Sequence, residues 1–172
     1  MKLGATNHNY IRKFGYSLIG TTPTCTRLLV RGQRYNAIAA MSSSKILALE
    51  IKTGTIDGEV FFDFIRGTLI PQMLPFNGQN PHSILVLDNC TIHHINEVRE
   101  VLQKASILTL FLPPYSPDLN PLEELFSYVK QYLKRHDDLL YSIPNPQNVI
   151  KAAFNSITTH HLNSWISHAG YL

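Results

Sequence analysis

Hydrophobic residues fall into short runs along the chain, and the spacing of these runs predicts strands. The runs YNAIAAM (35–41) and KILALEI (45–51) are separated by three serines, a turn-prone triplet, so they predict a β-hairpin. The runs ILVL (84–87) and ILTLFL (107–112) are continuous and bounded by polar residues, as in fully buried strands. Residues 1–34 have little apolar periodicity and predict an edge strand and a loop.

Four further segments carry apolar residues at helical spacing: 58–73, 95–105, 122–133 and 147–168. Asp57 is a candidate N-cap for the first of them. Asn120 and Pro121 suit the N-cap and the first position of the third, which makes Glu123 its third helical residue. The order hairpin, helix, strand, helix, strand, helix, helix predicts a mixed sheet flanked by helices, and therefore the α/β class.

The composition fits a globular protein with one compact domain. Of the 172 residues, 44% are hydrophobic and 16% are charged, which excludes intrinsic disorder. The net charge of +3 is compatible with nucleic-acid binding but too small to imply it. The two cysteines, Cys25 and Cys90, make neither a disulfide framework nor a zinc site with the scattered histidines. No apolar run approaches the roughly 20 residues of a membrane span, and the start lacks a secretion signal, so we expect no membrane insertion and no secretion.

Two acidic residues occupy positions that suit a site. Asp88 follows the run 84–87 directly, and ligands of open α/β sheets collect at the carboxyl ends of strands. Glu123 opens a helix after the loop 113–121, which contains four prolines. Two carboxylates near a sheet edge suit a hard cation such as Mg²⁺ or Mn²⁺. On spacing alone, structural roles are the preferred explanation of both residues, since Asp88 could form a turn and Glu123 could be the acid of a capping box.

Two segments resemble the catalytic blocks of Tc/mariner-type DDE transposases. LVLDNCTIHH (85–94) resembles the second block of that family. LFLPPYSPDLNPLEELFSYVK (110–130) resembles the third block, in which PPYSPDLNP is followed by an apolar residue and the catalytic Glu. Thirty-four residues separate Asp88 from Glu123, a spacing typical of this superfamily. The segment YIRKFGYSLIGTTP (10–23) looks like the one that follows the first catalytic strand.

The resemblance implies an RNase H-like fold whose sheet carries three acids that hold two Mg²⁺ or Mn²⁺ ions. Water and then a DNA 3′-hydroxyl attack phosphodiesters of the transposon end and the target. By motif position, Asp88 is the second catalytic and metal-binding acid and Glu123 is the third. Glu124 lies about 100° further around the helix, so it does not share the role. Residues 1–140 are expected to form the catalytic domain and 141–172 a helical extension of it.

The sequence departs from the family pattern where the first acid is expected. That region reads MKLGATNHN, and the first acidic residue of the chain is Glu50, in the second strand of the hairpin. We therefore expect a missing or incomplete first strand, weak metal binding and little strand transfer. A gene-model truncation and a real loss of the residue both remain open.

The partners that the resemblance implies are transposon ends and target DNA. The helix-turn-helix region that recognises the ends in this family is not in the sequence. Candidates for contacts with DNA phosphates are four basic residues: Arg12, Lys13, Arg31 and Arg34. A solvated basic face is an equally good interpretation of them. An unpaired strand edge also predicts aggregation or a homodimer.

Three functional hypotheses follow from these observations. The first is a transposase catalytic domain, expected in the nucleus of a eukaryote and otherwise in the cytoplasm. The second is a transposon-derived domain that binds DNA or protein without catalysis. The third is another RNase H-like nuclease acting on RNA–DNA hybrids, which the PPYSPDLNP block argues against.

Overall fold

The computed structural model describes residues 2–5, 15–22, 24, 33–136 and 145–171. Within these ranges, five strands form two sheets. An antiparallel sheet has the order β1-β2-β3, with bounds Lys2–Ala5, Tyr35–Met41 and Ile46–Thr53. A parallel pair consists of β4 (Ile84–Leu87) and β5 (Leu108–Phe111). The predicted hairpin and the predicted strand 84–87 are confirmed.

The first strand is short but present. Lys2 pairs with Ile38 and Ala5 pairs with Tyr35, so β1 covers four of the seven residues of β2. The sequence predicted a missing or incomplete first strand, and the structure has a first strand of four paired residues. The β2–β3 hairpin closes at its serines, where the Ser42 hydroxyl accepts a hydrogen bond from the Lys45 amide at 3.2 Å.

Five helices lie within the described ranges: α1 (Gly58–Phe64), α2 (Asn96–Lys104), α3 (Leu122–Arg135), α4 (Pro146–Asn155) and α5 (Thr159–His168). Asp57 caps α1 as predicted, because its carboxylate accepts from the Val60 amide at 3.0 Å. A π-helical turn (Ile65–Leu69) and a 3₁₀ turn (Ile70–Gln72) extend α1 to the predicted end of that helix. No helix in these ranges has both the length and the apolar composition needed to cross a membrane.

Two predictions about helix boundaries are wrong. The single helix over 147–168 is two helices, because Thr158 caps α5 through a capping box with His161. The third helix begins at Leu122, with Pro121 at its N-cap. The Asn120 side chain accepts a hydrogen bond from the Leu122 amide at 3.1 Å. In a capping box it would accept from the next amide, that of Glu123. Glu123 is therefore the second helical residue, and the capping-box explanation of Glu123 fails.

The β2 strand separates two hydrophobic cores. Ala37 and Ala39 pack in a core with α3, α4 and α5. Ile38 and Ala40 pack in a second core with α1, α2 and β4. Because successive residues of a strand face opposite sides of the sheet, the helices form a layer on each side. The α/β class with flanking helices is confirmed, but the described strands form an antiparallel sheet and a separate parallel pair instead of one mixed sheet.

The expectation that both later strands are fully buried is wrong. Leu85 and Leu87 of β4 are buried in the second core. The alternate positions of the parallel pair are exposed by 38–49%: Ile84, Val86, Leu108 and Leu110. Ile84 pairs with Leu108 and Val86 with Leu110, so the four side chains share one face of the pair. We call these four residues the exposed β4–β5 face. A continuous apolar run therefore indicates a strand here without showing that both faces are covered.

Candidate active site

Asp88 lies at the carboxyl end of β4, where the sequence places it. Its Oδ1 atom accepts a hydrogen bond from the Cys90 amide at 3.1 Å, which closes the turn after the strand. Nδ1 of His93 lies 2.8 Å from the same oxygen. This contact is the main cause that lowers the pKa of Asp88 to about 2 and outweighs the opposite effect of partial burial. Asp88 is therefore ionised at neutral pH.

His93 is a buried residue, although it lies in a polar segment between a strand and a helix. It ends a 3₁₀ turn (Thr91–His93) and is 3% exposed. Its Nδ1 atom also lies 3.1 Å from the main-chain oxygen of Asp88. Both neighbours of Nδ1 are oxygen acceptors, so Nδ1 carries the proton. The ring packs against Phe61 of α1 at a centroid distance of 4.4 Å.

The next residue, His94, anchors the other side of the same turn. Its ring stacks on Phe111 at the end of β5, with 4.4 Å between centroids. Its Nε2 atom forms a hydrogen bond with the Asn89 side chain. The segment after β4 is thus attached to α1 through His93 and to β5 through His94. These contacts fix the backbone that carries Asp88.

A cavity of about 250 Å³ connects Asp88 to the start of α3. Asp88 and His93 line one part of it, and Asn120, Pro121 and Leu122 line another. We call it the Asp88 cavity. Glu123 follows these residues directly, in the first turn of α3, but its side chain is exposed and does not line the cavity. The beginning of α3 and the end of β4 therefore line one cavity, and the prediction that Asp88 and Glu123 act together stays a prediction.

The C-terminal helix supports the start of α3. The Tyr171 hydroxyl donates a hydrogen bond to the main-chain oxygen of Leu119 at 3.0 Å. Nδ1 of His168 forms a hydrogen bond with the carboxylate of Glu124. Tyr171 also lines the Asp88 cavity. Sequence reasoning did not find these contacts, because nothing in the helical spacing of 147–168 indicates where its end docks.

Asp88 and Glu123 offer carboxylate oxygens, the type of donor atom that hard divalent cations prefer. Carboxylate oxygens are preferred ligands of Mg²⁺, which is often held by one or two carboxylates with water and substrate phosphates. Oδ1 of Asp88 is occupied by the two hydrogen bonds, whereas its Oδ2 atom has no hydrogen bond within the described ranges. In that part of the chain, no group of three His, Cys, Asp or Glu residues is placed to hold a metal ion. The carboxylates of Asp88 and Glu123 are thus of the donor type that Mg²⁺ and Mn²⁺ prefer, although only Asp88 lines the cavity.

The basic residues predicted to contact DNA are only partly described. Arg34 is exposed immediately before β2, and its main-chain oxygen accepts a hydrogen bond from the Gly54 amide at 3.2 Å. Arg12, Lys13 and Arg31 lie outside the described residues. The proposed DNA contacts of all four therefore stay a prediction.

The described part of the chain is an α/β protein in which an acid at the end of a strand lines the same cavity as the start of α3. The family model of the DDE superfamily endonucleases matches residues 3–140. The chain belongs to this family. The predicted membership of the DDE superfamily is confirmed.

Several solved structures share the fold of the chain. The chain is similar to the Mos1 transposase paired-end complex with left transposon end, at 18% identity and a TM-score of 0.60, over 99% of this chain and 54% of that one. It is also similar to the Mos1 strand transfer complex, at 17% identity and a TM-score of 0.57, over 98% and 53%. The Mos1 mariner paired end complex with Mn gives 15% identity and a TM-score of 0.54, over 99% and 54%.

The similarity confirms the predicted RNase H-like α/β fold class. The chain spans about half the length of the Mos1 chains that it matches. Among curated proteins, none matches the chain.

Proposed function

We propose that the chain is a catalytic domain of a Tc/mariner-type DNA transposase, with Asp88 and Glu123 as two of its catalytic carboxylates. The single observation that carries the proposal is the ionised Asp88 carboxylate, fixed at the end of β4 in a cavity that reaches the start of α3. The family match and the PPYSPDLNP block before Glu123 support it. The proposed partners are transposon ends, because a similar Mos1 structure is a complex with a transposon end, and target DNA, which the resemblance to the family implies.

The residues of the chain have distinct roles in this proposal. Asp88 offers Oδ2 as a ligand, while Oδ1 stays bound to the Cys90 amide and His93. Glu123 offers a second carboxylate from the first turn of α3, and water or a substrate phosphate completes the coordination. A bound Mg²⁺ or Mn²⁺ would activate the attacking oxygen and stabilise the leaving one. A location in the nucleus follows if the host is a eukaryote.

We also propose that these 172 residues hold metal weakly and catalyse little strand transfer. No Asp or Glu precedes Glu50, and Glu50 lies in β3, where its carboxylate is 3.1 Å from the Lys52 ammonium. Two carboxylates leave much of the charge of two metal ions uncompensated. Robust Mg²⁺-dependent nicking of a cognate transposon end by this chain would contradict the proposal.

Iron-directed cleavage tests where the metal binds, whether or not the chain is active. Fe²⁺ bound in place of Mg²⁺, with ascorbate and peroxide, generates radicals that cut the protein backbone near the ion. We expect fragments that end near residues 88 and 123, suppressed by excess Mg²⁺ and by Asp88→Asn. Glu123→Gln should suppress them too, whereas the neighbouring Glu124→Gln is the matched control and should leave them. Fragments elsewhere, or fragments that persist in Asp88→Asn, would contradict the assignment.

A non-catalytic binding domain is the less favoured alternative. It predicts salt-sensitive DNA binding that Mg²⁺ does not affect. It offers no reason for an ionised carboxylate beside the start of an acid-bearing helix. If the iron-directed reaction does not cut the backbone near residue 88 and the chain binds DNA strongly at low salt, this alternative is supported.

A further inference from the structure

His93 is buried at a place where burial of a histidine needs a specific reason. Its side chain is 2% exposed, and a polar group removed from water is costly unless it is hydrogen-bonded. The bonds that satisfy Nδ1 both go to Asp88, at 2.8 Å to Oδ1 and 3.1 Å to the main-chain oxygen. His93 therefore contacts the side chain and the backbone of the same residue.

The Cys90 amide and His93 together restrict the rotation of the Asp88 carboxylate. The Cys90 amide holds Oδ1 from one direction at 3.1 Å, and His93 holds the same oxygen from a second direction. Two donors on one oxygen fix its position, so Oδ2 is fixed as well. The His93 ring is itself held by Phe61, so the orientation of Asp88 depends on the packing of α1 against this turn.

We propose that His93 is a positioning residue that fixes the Asp88 carboxylate so that Oδ2 is free to bind a metal ion. The inference rests on the proposed function, because it takes Asp88 as a metal ligand. Groups that hydrogen-bond to a metal ligand orient it, and their loss typically costs about 10- to 100-fold in metal affinity. His93 does not touch the ion, and its effect is transmitted through Asp88.

Three variants separate the hydrogen bond from the packing. His93→Asn keeps a nitrogen donor bonded to Cγ, as Nδ1 is, but loses the ring that packs on Phe61. His93→Phe keeps a ring of similar size and loses the donor. His93→Gln keeps an amide but moves it one bond further from the backbone. Asp88→Asn is the control for the metal site itself.

The first measurement is Mn²⁺ affinity of the full chain by electron paramagnetic resonance, compared with thermal stability. We expect His93→Phe to weaken Mn²⁺ binding by about 10- to 100-fold while it stays folded. His93→Asn should unfold at a lower temperature yet bind Mn²⁺ more tightly than His93→Phe and His93→Gln do. If Mn²⁺ affinity follows thermal stability instead of the donor, His93 is only structural and the inference is overturned.

The second measurement needs no metal. Three-bond NMR couplings report whether the Asp88 side chain keeps one rotamer. One rotamer in the wild type and in His93→Asn, with averaging in His93→Phe, supports positioning; one rotamer in all three overturns it. If Asp88→Asn leaves Mn²⁺ binding unchanged, the proposed function fails, and the couplings still decide the role of His93. If Asp88→Asn abolishes binding but His93→Phe does not weaken it, the function stands and the inference fails.

Discussion

At the scale of single residues, the site consists of one acid that motif reasoning identifies and one histidine that it misses. Asp88 is predictable because it follows an apolar run and lies in a recognisable block. His93 is not, because a His-His pair after a strand is typical of a surface turn. Its burial comes from Phe61, which lies far away in the sequence. The role of His93 thus becomes visible only when α1 is packed against the turn.

Asp88 should also make stability depend on pH. Its pKa is lowered to about 2 in the folded chain, below its usual 3.8, so the ionised form stabilises the fold above the unfolded pKa. That contribution is lost as pH falls from about 4 through about 2, and it amounts to about 1–2 kcal/mol after allowance for solvent screening. Asp88→Asn should therefore reduce the free energy of unfolding at pH 7 and reduce it much less at pH 2. Urea unfolding with a chelator present measures this, and an equal loss at both pH values would contradict it.

At the scale of elements, the pattern located strands and helices well and their ends less well. The hairpin and β4 match their predicted ranges closely, because serines and polar residues bound them. The break between α4 and α5 was missed because Ser156, Ile157 and Thr158 contain neither Gly nor Pro. A new helix begins after Thr158, because the side chain of Thr158 caps the N-terminus of α5. The residue type alone does not predict this cap, since many serines and threonines lie within helices without forming one.

The segment that follows α5 should stabilise the loop before Glu123. Tyr171→Phe removes only the hydroxyl that donates to Leu119, so we expect a loss of about 1 kcal/mol in the free energy of unfolding. Amide hydrogen exchange in residues 117–123 should become faster. Tyr115→Phe is the matched control, because Tyr115 lies in the same loop and its side chain is fully exposed. Equal exchange in both variants would show that the Tyr171 hydrogen bond does not support the loop.

At the scale of the whole molecule, periodicity predicted the layers but not how the strands pair. The α/β class followed from the order of elements, whereas the separate β1-β2-β3 and β4-β5 pairings depend on long-range contacts. We propose that residues 141–172 extend the domain formed by 1–140, because Ile150 and Phe154 of α4 share a core with Phe126 of α3. The family match ends at residue 140, where that extension was predicted to begin.

The exposed β4–β5 face leads us to propose self-association. Large contiguous apolar patches on soluble proteins usually mark an interaction surface. Val86→Lys places a charge on this face and should lower the average mass measured by light scattering at high protein concentration. Leu74→Lys is the control, because Leu74 is 46% exposed and lies outside this face. A wild-type chain that stays a monodisperse monomer would contradict the proposal.

The burial of both faces of β2 affects which substitutions such a chain can accumulate during evolution. A substitution at Ala37 or Ile38 disturbs a core directly, and the neighbouring position serves the other core, so this strand tolerates few replacements. Glu123 is exposed, and its replacement costs little in folding. A copy of the gene released from selection for activity would therefore lose Glu123 sooner than it would lose the residues of β2. A lineage of such copies would stay recognisable by its strands after that carboxylate had been replaced.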